Sequence, residues 1–159
     1  MTDYERQQLT GHPVVLYDGL CGLCNATVRT LLRHPRAGAF RFVPQQSPLA
    51  AELLAAFPAP RQPEPEGVLL LTDALTPAAR LLRRTDAIRQ AQTMLGGPFH
   101  TAVACVLGWL PTTLREAAYA QVARHRYRIF GRYPSCPAPT PEQRGRILGV
   151  EPLLEGHNP

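Results

Sequence analysis

Two cysteines with two residues between them, Cys21 and Cys24, follow a short apolar run and open a helical pattern. A dithiol at that spacing can exchange electrons with a partner disulfide: one thiolate attacks to give a mixed disulfide, and the second thiol resolves it. At a helix N-terminus the free backbone N–H groups and the helix dipole favour the anion, and cysteines there titrate at about 3.5–7.5 rather than about 8.5. Cys21 falls at that end, whereas Cys24 shares a stripe with Val28, Leu31 and Leu32. The register therefore predicts Cys21 as the exposed attacking thiol and Cys24 as the buried resolving one. Gly19 and Gly22 are expected to let the loop turn and a partner's backbone approach. Asp18 is expected to accept a proton or to cap the helix.

Other chemistries for these residues compete. Half a zinc site would need about four ligands in all, and the chain offers no second C-x-x-C; Cys105, Cys136 and the five histidines are dispersed. An inert packed pair is the second alternative, because free cysteine is often buried. A strand ending in Asp18 also suits an aspartyl nucleophile, but the second Asp such phosphatases place two residues on is Leu20 here. No phosphate-binding glycine motif is present, and the dithiol reaction requires no bound cofactor.

The elements that must position the pair can be read from periodicity. His12–Tyr17 suits a buried strand ended by the turn signal Asp18-Gly19, and a helix follows to His34, with Asn25, Arg29 and Arg33 on its polar face. Ala39–Val43 alternates as a strand, Ser47–Phe57 reads as a helix with Ser47 as N-cap, and Pro58–Pro65 is a loop. Val68–Leu71 and Ala78–Leu82 form an antiparallel pair, and Thr85-Asp86 caps a helix to Leu95, stopped by Gly96-Gly97-Pro98. Further helices are expected over Thr101–Leu110 as a buried element, Thr112–Arg124, and Pro141–Leu148 after Thr140. The order predicts an α/β, thioredoxin-like core (β-α-β-α-β-β-α) over about 12–97, with a helical C-terminal extension over about 98–150, all within one domain. Cys105, Trp109 and Phe130 read as packing residues, and Cys136 lies in an irregular segment the fold can bring back toward the dithiol.

Composition narrows the partners. The chain has 17 Arg, no Lys and a net charge of +5. The arginines are scattered, and the densest cluster, Arg124–Arg132, reads as a solvated helix end, so no nucleic-acid partner is expected. The N-terminal stretch lacks the apolar core of a secretory signal, and no apolar run nears the roughly 18 residues of a membrane span. A cytoplasmic setting is the expectation, in which a close cysteine pair is more often catalytic or metal-binding than structural. The expected partners are a protein or small-molecule disulfide or dithiol and an unidentified electron donor.

The stretch LYDGLCGLCN, Leu16–Asn25, resembles the signature of the DCC family of thiol-disulfide oxidoreductases, named for an Asp-Cys-Cys pattern that here falls on Asp18, Cys21 and Cys24. Similar segments run along the chain: FRFVPQQS from Phe40, RTDA from Arg84, LGGP from Leu95 and RYRIFGRYPSC from Arg126. The resemblance implies a thioredoxin-like fold and disulfide chemistry at Cys21 and Cys24. It differs from thioredoxin itself in the Gly22-Leu23 bridge and in Leu20 before the pair. Pro65 is the candidate for the cis-proline that thioredoxins place before the third core strand. Arg84 and Asp86 stay outside the expected catalytic set.

Overall fold

The computed structural model describes residues 1–57 and 67–150. At its centre is β1 (Val14–Tyr17), buried at all four positions. Such a strand needs no polar alternation, because both its faces are covered. It pairs in parallel with β2 (Arg41–Pro44) and antiparallel with β3 (Leu69–Thr72), which pairs antiparallel with β4 (Arg80–Arg83), giving the order β2-β1-β3-β4. The helix α2 (Gly22–Arg33) carries the chain from β1 to β2. Next comes α3 (Pro48–Leu54), where Ser47 caps the start by accepting the Ala50 N–H, and α4 (Arg84–Leu95) follows β4. This is the thioredoxin-like β-α-β-α-β-β-α core that the sequence predicts.

The strand period sorts β1 between two packed layers. Val14 and Leu16 join Val43, Leu49, Leu53, Leu69 and Leu71 on one face; Val15 and Tyr17 join Val28, Phe42, Leu70 and Ala87 on the other. Each buried aliphatic side chain contributes about 1.5–3 kcal/mol by leaving water. The second layer lies beneath α2 and α4, so Tyr17 ends β1 on the dithiol's side.

Several elements depart from the sequence expectation. The polar N-terminal stretch forms a helix, α1 (Asp3–Leu9), because Thr2 and Glu5 make a capping box and Leu9 is fully buried. The apolar helix α5 (Pro98–Trp109) is not a buried element: it packs against α4 and has no buried residue. Cys105 is accordingly exposed, Trp109 is 86% exposed and Phe130 is also exposed, so none of the three is a core residue. α6 (Thr112–Phe130) continues past Arg124 and stops at Gly131, whose φ of 76° suits glycine. No helix forms over 141–148. After a turn at Thr140, the Phe42 N–H donates to the Arg146 carbonyl and the Leu148 N–H to the Phe42 carbonyl, so pairing with the free edge of β2 takes the chain instead. Thr85 does not cap α4; its hydroxyl donates to Glu116 on α6. Among the described residues no helix is long and apolar enough to cross a membrane.

Leu16 is fully buried at the middle of the central strand. Leu16→Ala is expected to destabilise the protein by about 2–5 kcal/mol through lost burial and a residual cavity, read as a lower urea midpoint with an unchanged slope.

Candidate functional site

β1 delivers Asp18 and then a tight loop to the start of α2. The Cys21 N–H donates to the Asp18 carbonyl at 3.2 Å, and Cys21 occupies the N-cap position of α2. Asn25 does not sit on a polar face, as the pattern suggests; it is buried, and its amide donates to the Gly19 and Cys21 carbonyls at 2.7 and 2.9 Å. That clamp fixes the loop on the first turn of the helix. The loop and the first turn of α2 bring Cys24 beside Cys21, close enough for the two thiols to interact. Burial, the neighbouring Cys21 thiol and the negative charge of Asp18 push the Cys24 thiol up to about 12. Cys24 is therefore the sulfur that keeps its proton, while Cys21 holds the N-cap position of α2, where its side chain makes no cap hydrogen bond.

Exposure runs opposite to the sequence expectation. Cys21 is fully buried and Cys24 is half-buried. The cause is a cover drawn from the far end of the chain. The Gly22 N–H donates to the Gly131 carbonyl at 3.2 Å, the Tyr133 N–H donates to the Leu20 carbonyl at 2.8 Å, and Arg132 lies antiparallel to Cys21. A Cβ on Gly22 would stand 2.0 Å from the Phe130 carbonyl oxygen, and one on Gly19 2.7 Å from Cys136 Sγ. Neither glycine has a positive φ. Both therefore admit the protein's own C-terminal segment, rather than a turn or a partner's backbone.

Asp18 neither caps α2 nor offers a free base. Its carboxylate is buried and accepts from the Leu20 N–H at 3.0 Å, Gln46 at 2.8 Å, Arg126 at 2.9 Å and the Tyr127 hydroxyl. Burial alone would raise its titration, but these hydrogen bonds outweigh burial and hold Asp18 below the usual carboxylate range. Arg126 is buried with it, so the Arg124–Arg132 stretch is not simply a solvated helix end. Gln46, Asn25, Arg126 and Tyr127 escaped the sequence reading of the site. Gln46, Arg126 and Tyr127 lie in the FRFVPQQS and RYRIFGRYPSC segments, which was the available signal.

Cys136 does return to the site. It lies over Gly19 and is hydrogen-bonded to Tyr17; burial raises its titration and that bond lowers it. Burial, followed by Cys136, pushes the Tyr17 hydroxyl far up, so it stays protonated. Arg84 faces Glu116 at 3.6 Å and Asp86 pairs with Arg115 at 2.7 Å, so both serve the contact of α4 with α6. Pro65 lies outside the described residues. Among those described, no three His, Cys, Asp or Glu side chains converge as a metal site.

A model of the DCC1-like thiol-disulfide oxidoreductase family matches residues 15–132. The chain belongs to this family. The matched span holds Asp18, Cys21, Cys24 and Arg126, and ends within the cover over Cys21. Among curated relatives, a chloroplastic DCC family protein of Arabidopsis thaliana is 31% identical over 124 residues, 78% of this chain and 68% of the relative. The uncharacterized protein YuxK of Bacillus subtilis is 26% identical over 137 residues, 85% of this chain and 93% of the relative. No solved structure matches.

Asp18→Asn breaks the buried ion pair with Arg126 and is expected to cost about 3–5 kcal/mol at pH 7. Because the folded Asp18 titrates below its unfolded value, its stabilisation is complete above about pH 4–5 and fades as pH falls through the folded value. Urea midpoints of both forms should therefore lie far apart at pH 7 and draw together as pH is lowered below the usual carboxylate range. Gly22→Ala should push Phe130 and Gly131 away from the loop, seen as at least tenfold faster alkylation of Cys21 by iodoacetamide with the far-ultraviolet spectrum unchanged.

Proposed function

We propose that this DCC-family chain is a thiol-disulfide oxidoreductase whose Cys21–Cys24 pair cycles between dithiol and disulfide. The observation that carries the reading is the placement of Cys21 at the N-cap of α2 with Cys24 one turn on, where burial and the neighbouring Cys21 hold the Cys24 thiol protonated. In the reducing direction a substrate S–S bond breaks, two electrons pass to the substrate, and the Cys21–Cys24 S–S bond forms as both thiols lose their protons. The partner is a protein or small-molecule disulfide, and a dithiol donor restores the reduced pair. A reducing compartment such as the cytoplasm suits the four free cysteines. Asp18, Gly19 and Gly22 act as positioning residues, the first through Arg126 and the glycines through the close cover.

Equilibration in glutathione buffers of graded potential tests the assignment. Counting free thiols should show one reversible two-electron transition, abolished in Cys21→Ser and in Cys24→Ser and retained in Cys105→Ser. Absence of any intramolecular disulfide between residues 21 and 24 across the full range would sink the proposal.

A further inference from the structure

The side of the dithiol away from the C-terminal cover opens on a cavity of about 500 Å³ between the sheet, α2, α4, α5 and α6. Cores leave few gaps larger than one water, whereas small-molecule sites occupy about 300–1,000 Å³ and are mostly apolar with a few polar groups at one place. This cavity has that composition. Its body is walled by Val28, Leu31, Ile88, Ala91, Leu95 and Leu107, while Cys24, Asp18, Arg126 and Tyr119 also reach it. The α2 wall runs from Cys24 to Leu31, about 10 Å at 1.5 Å per residue. Among the described residues the charged groups of the lining are already paired, Arg126 with Asp18 at 2.9 Å and Arg115 with Asp86, which stands behind it, at 2.7 Å. Of the two active sulfurs only Cys24 lines this space; Cys21 is fully buried under residues 131–133. A second cavity, of about 410 Å³ around Met1, Leu49 and Gly149, has no cysteine in its wall.

We infer that this cavity is the substrate site of the dithiol, that it takes an uncharged lipophilic dithiol or disulfide, and that exchange occurs at the Cys24 sulfur from the cavity side. The inference deepens the oxidoreductase reading and rests on it. In the oxidised protein a substrate thiolate attacks Cys24 Sγ. The Cys21–Cys24 bond breaks, the electron pair leaves on Cys21 at the helix N-terminus, and a Cys24–substrate disulfide forms. The substrate's second thiolate then attacks its own sulfur in that mixed disulfide, closing the substrate disulfide and releasing Cys24, which takes up a proton. Two electrons move from substrate to protein, and the reverse order serves a substrate disulfide.

The test compares wild type with Ala91→Phe, which fills the cavity wall, and with Trp109→Ser on the exposed outer face of α5. Oxidised protein is mixed with dihydrolipoamide, an uncharged dithiol with an apolar chain, or with dithiothreitol, a small polar one. Expected is at least a tenfold loss of dihydrolipoamide oxidation in Ala91→Phe, with dithiothreitol oxidation within twofold and Trp109→Ser unchanged for both. Equal loss for both dithiols, or no loss, overturns the site. Binding of N-phenyl-1-naphthylamine, an uncharged fluorescent probe, is titrated in parallel on the Cys21→Ser/Cys24→Ser double variant. One-to-one binding lost in Ala91→Phe supports the cavity even where the redox reading fails; binding that survives Ala91→Phe, or follows Trp109→Ser, overturns it. Leu107→Phe from the opposite wall repeats both measurements should Ala91→Phe not fold.

Discussion

Asp18 and Arg126 stand 108 positions apart in sequence and 2.9 Å apart in the fold, both out of water. A carboxylate and a guanidinium removed from solvent are tolerable only when paired and hydrogen-bonded on their remaining sites. Leu20, Gln46 and Tyr127 complete the carboxylate's bonds. The end of β1, the turn after β2 and the last turns of α6 must therefore assemble together. Because the dithiol loop hangs from Asp18, its position depends on that assembly. A core of apolar contacts alone would hold the sheet but would leave the loop free to choose among several poses.

The same arrangement explains why the two sulfurs differ. Asn25 clamps the loop on α2, Gly22 lets the chain after α6 lie directly on it, and Cys21 is shut away while Cys24 faces the cavity. Helical register predicts which cysteine starts the helix, but not which one sees solvent. Exposure here is set by residues 131–136, which arrive from outside the thioredoxin-like core.

Local pattern carried the core well. The apolar runs at Val14 and Leu69, the Ser47 cap and the Gly96-Gly97 stop each specify their own element, and the strand-helix order leaves few topologies open. The failures share a cause: they concern contacts between distant segments. Nothing local shows that Arg126 is buried while Arg124 and Arg128 are exposed, that α5 packs against α4 without a buried residue, or that residues 146–148 pair with β2 rather than completing a helical turn. For the site, the pairing of Cys21 and Cys24 at a helix start was legible from spacing, whereas the groups that hold them in place were visible only as segments of family resemblance.

The cover over Cys21 also imposes an order in time. Arg132 leaves the ribosome 111 positions after Cys21, an interval of roughly ten seconds at ordinary synthesis rates. Throughout that interval the nascent chain carries its reactive cysteines without their cover. A newly made molecule is thus open to oxidants and to other thiols at Cys21 in a way the finished one is not. The fold, once complete, closes that side and leaves Cys24 as the sulfur that lines a cavity.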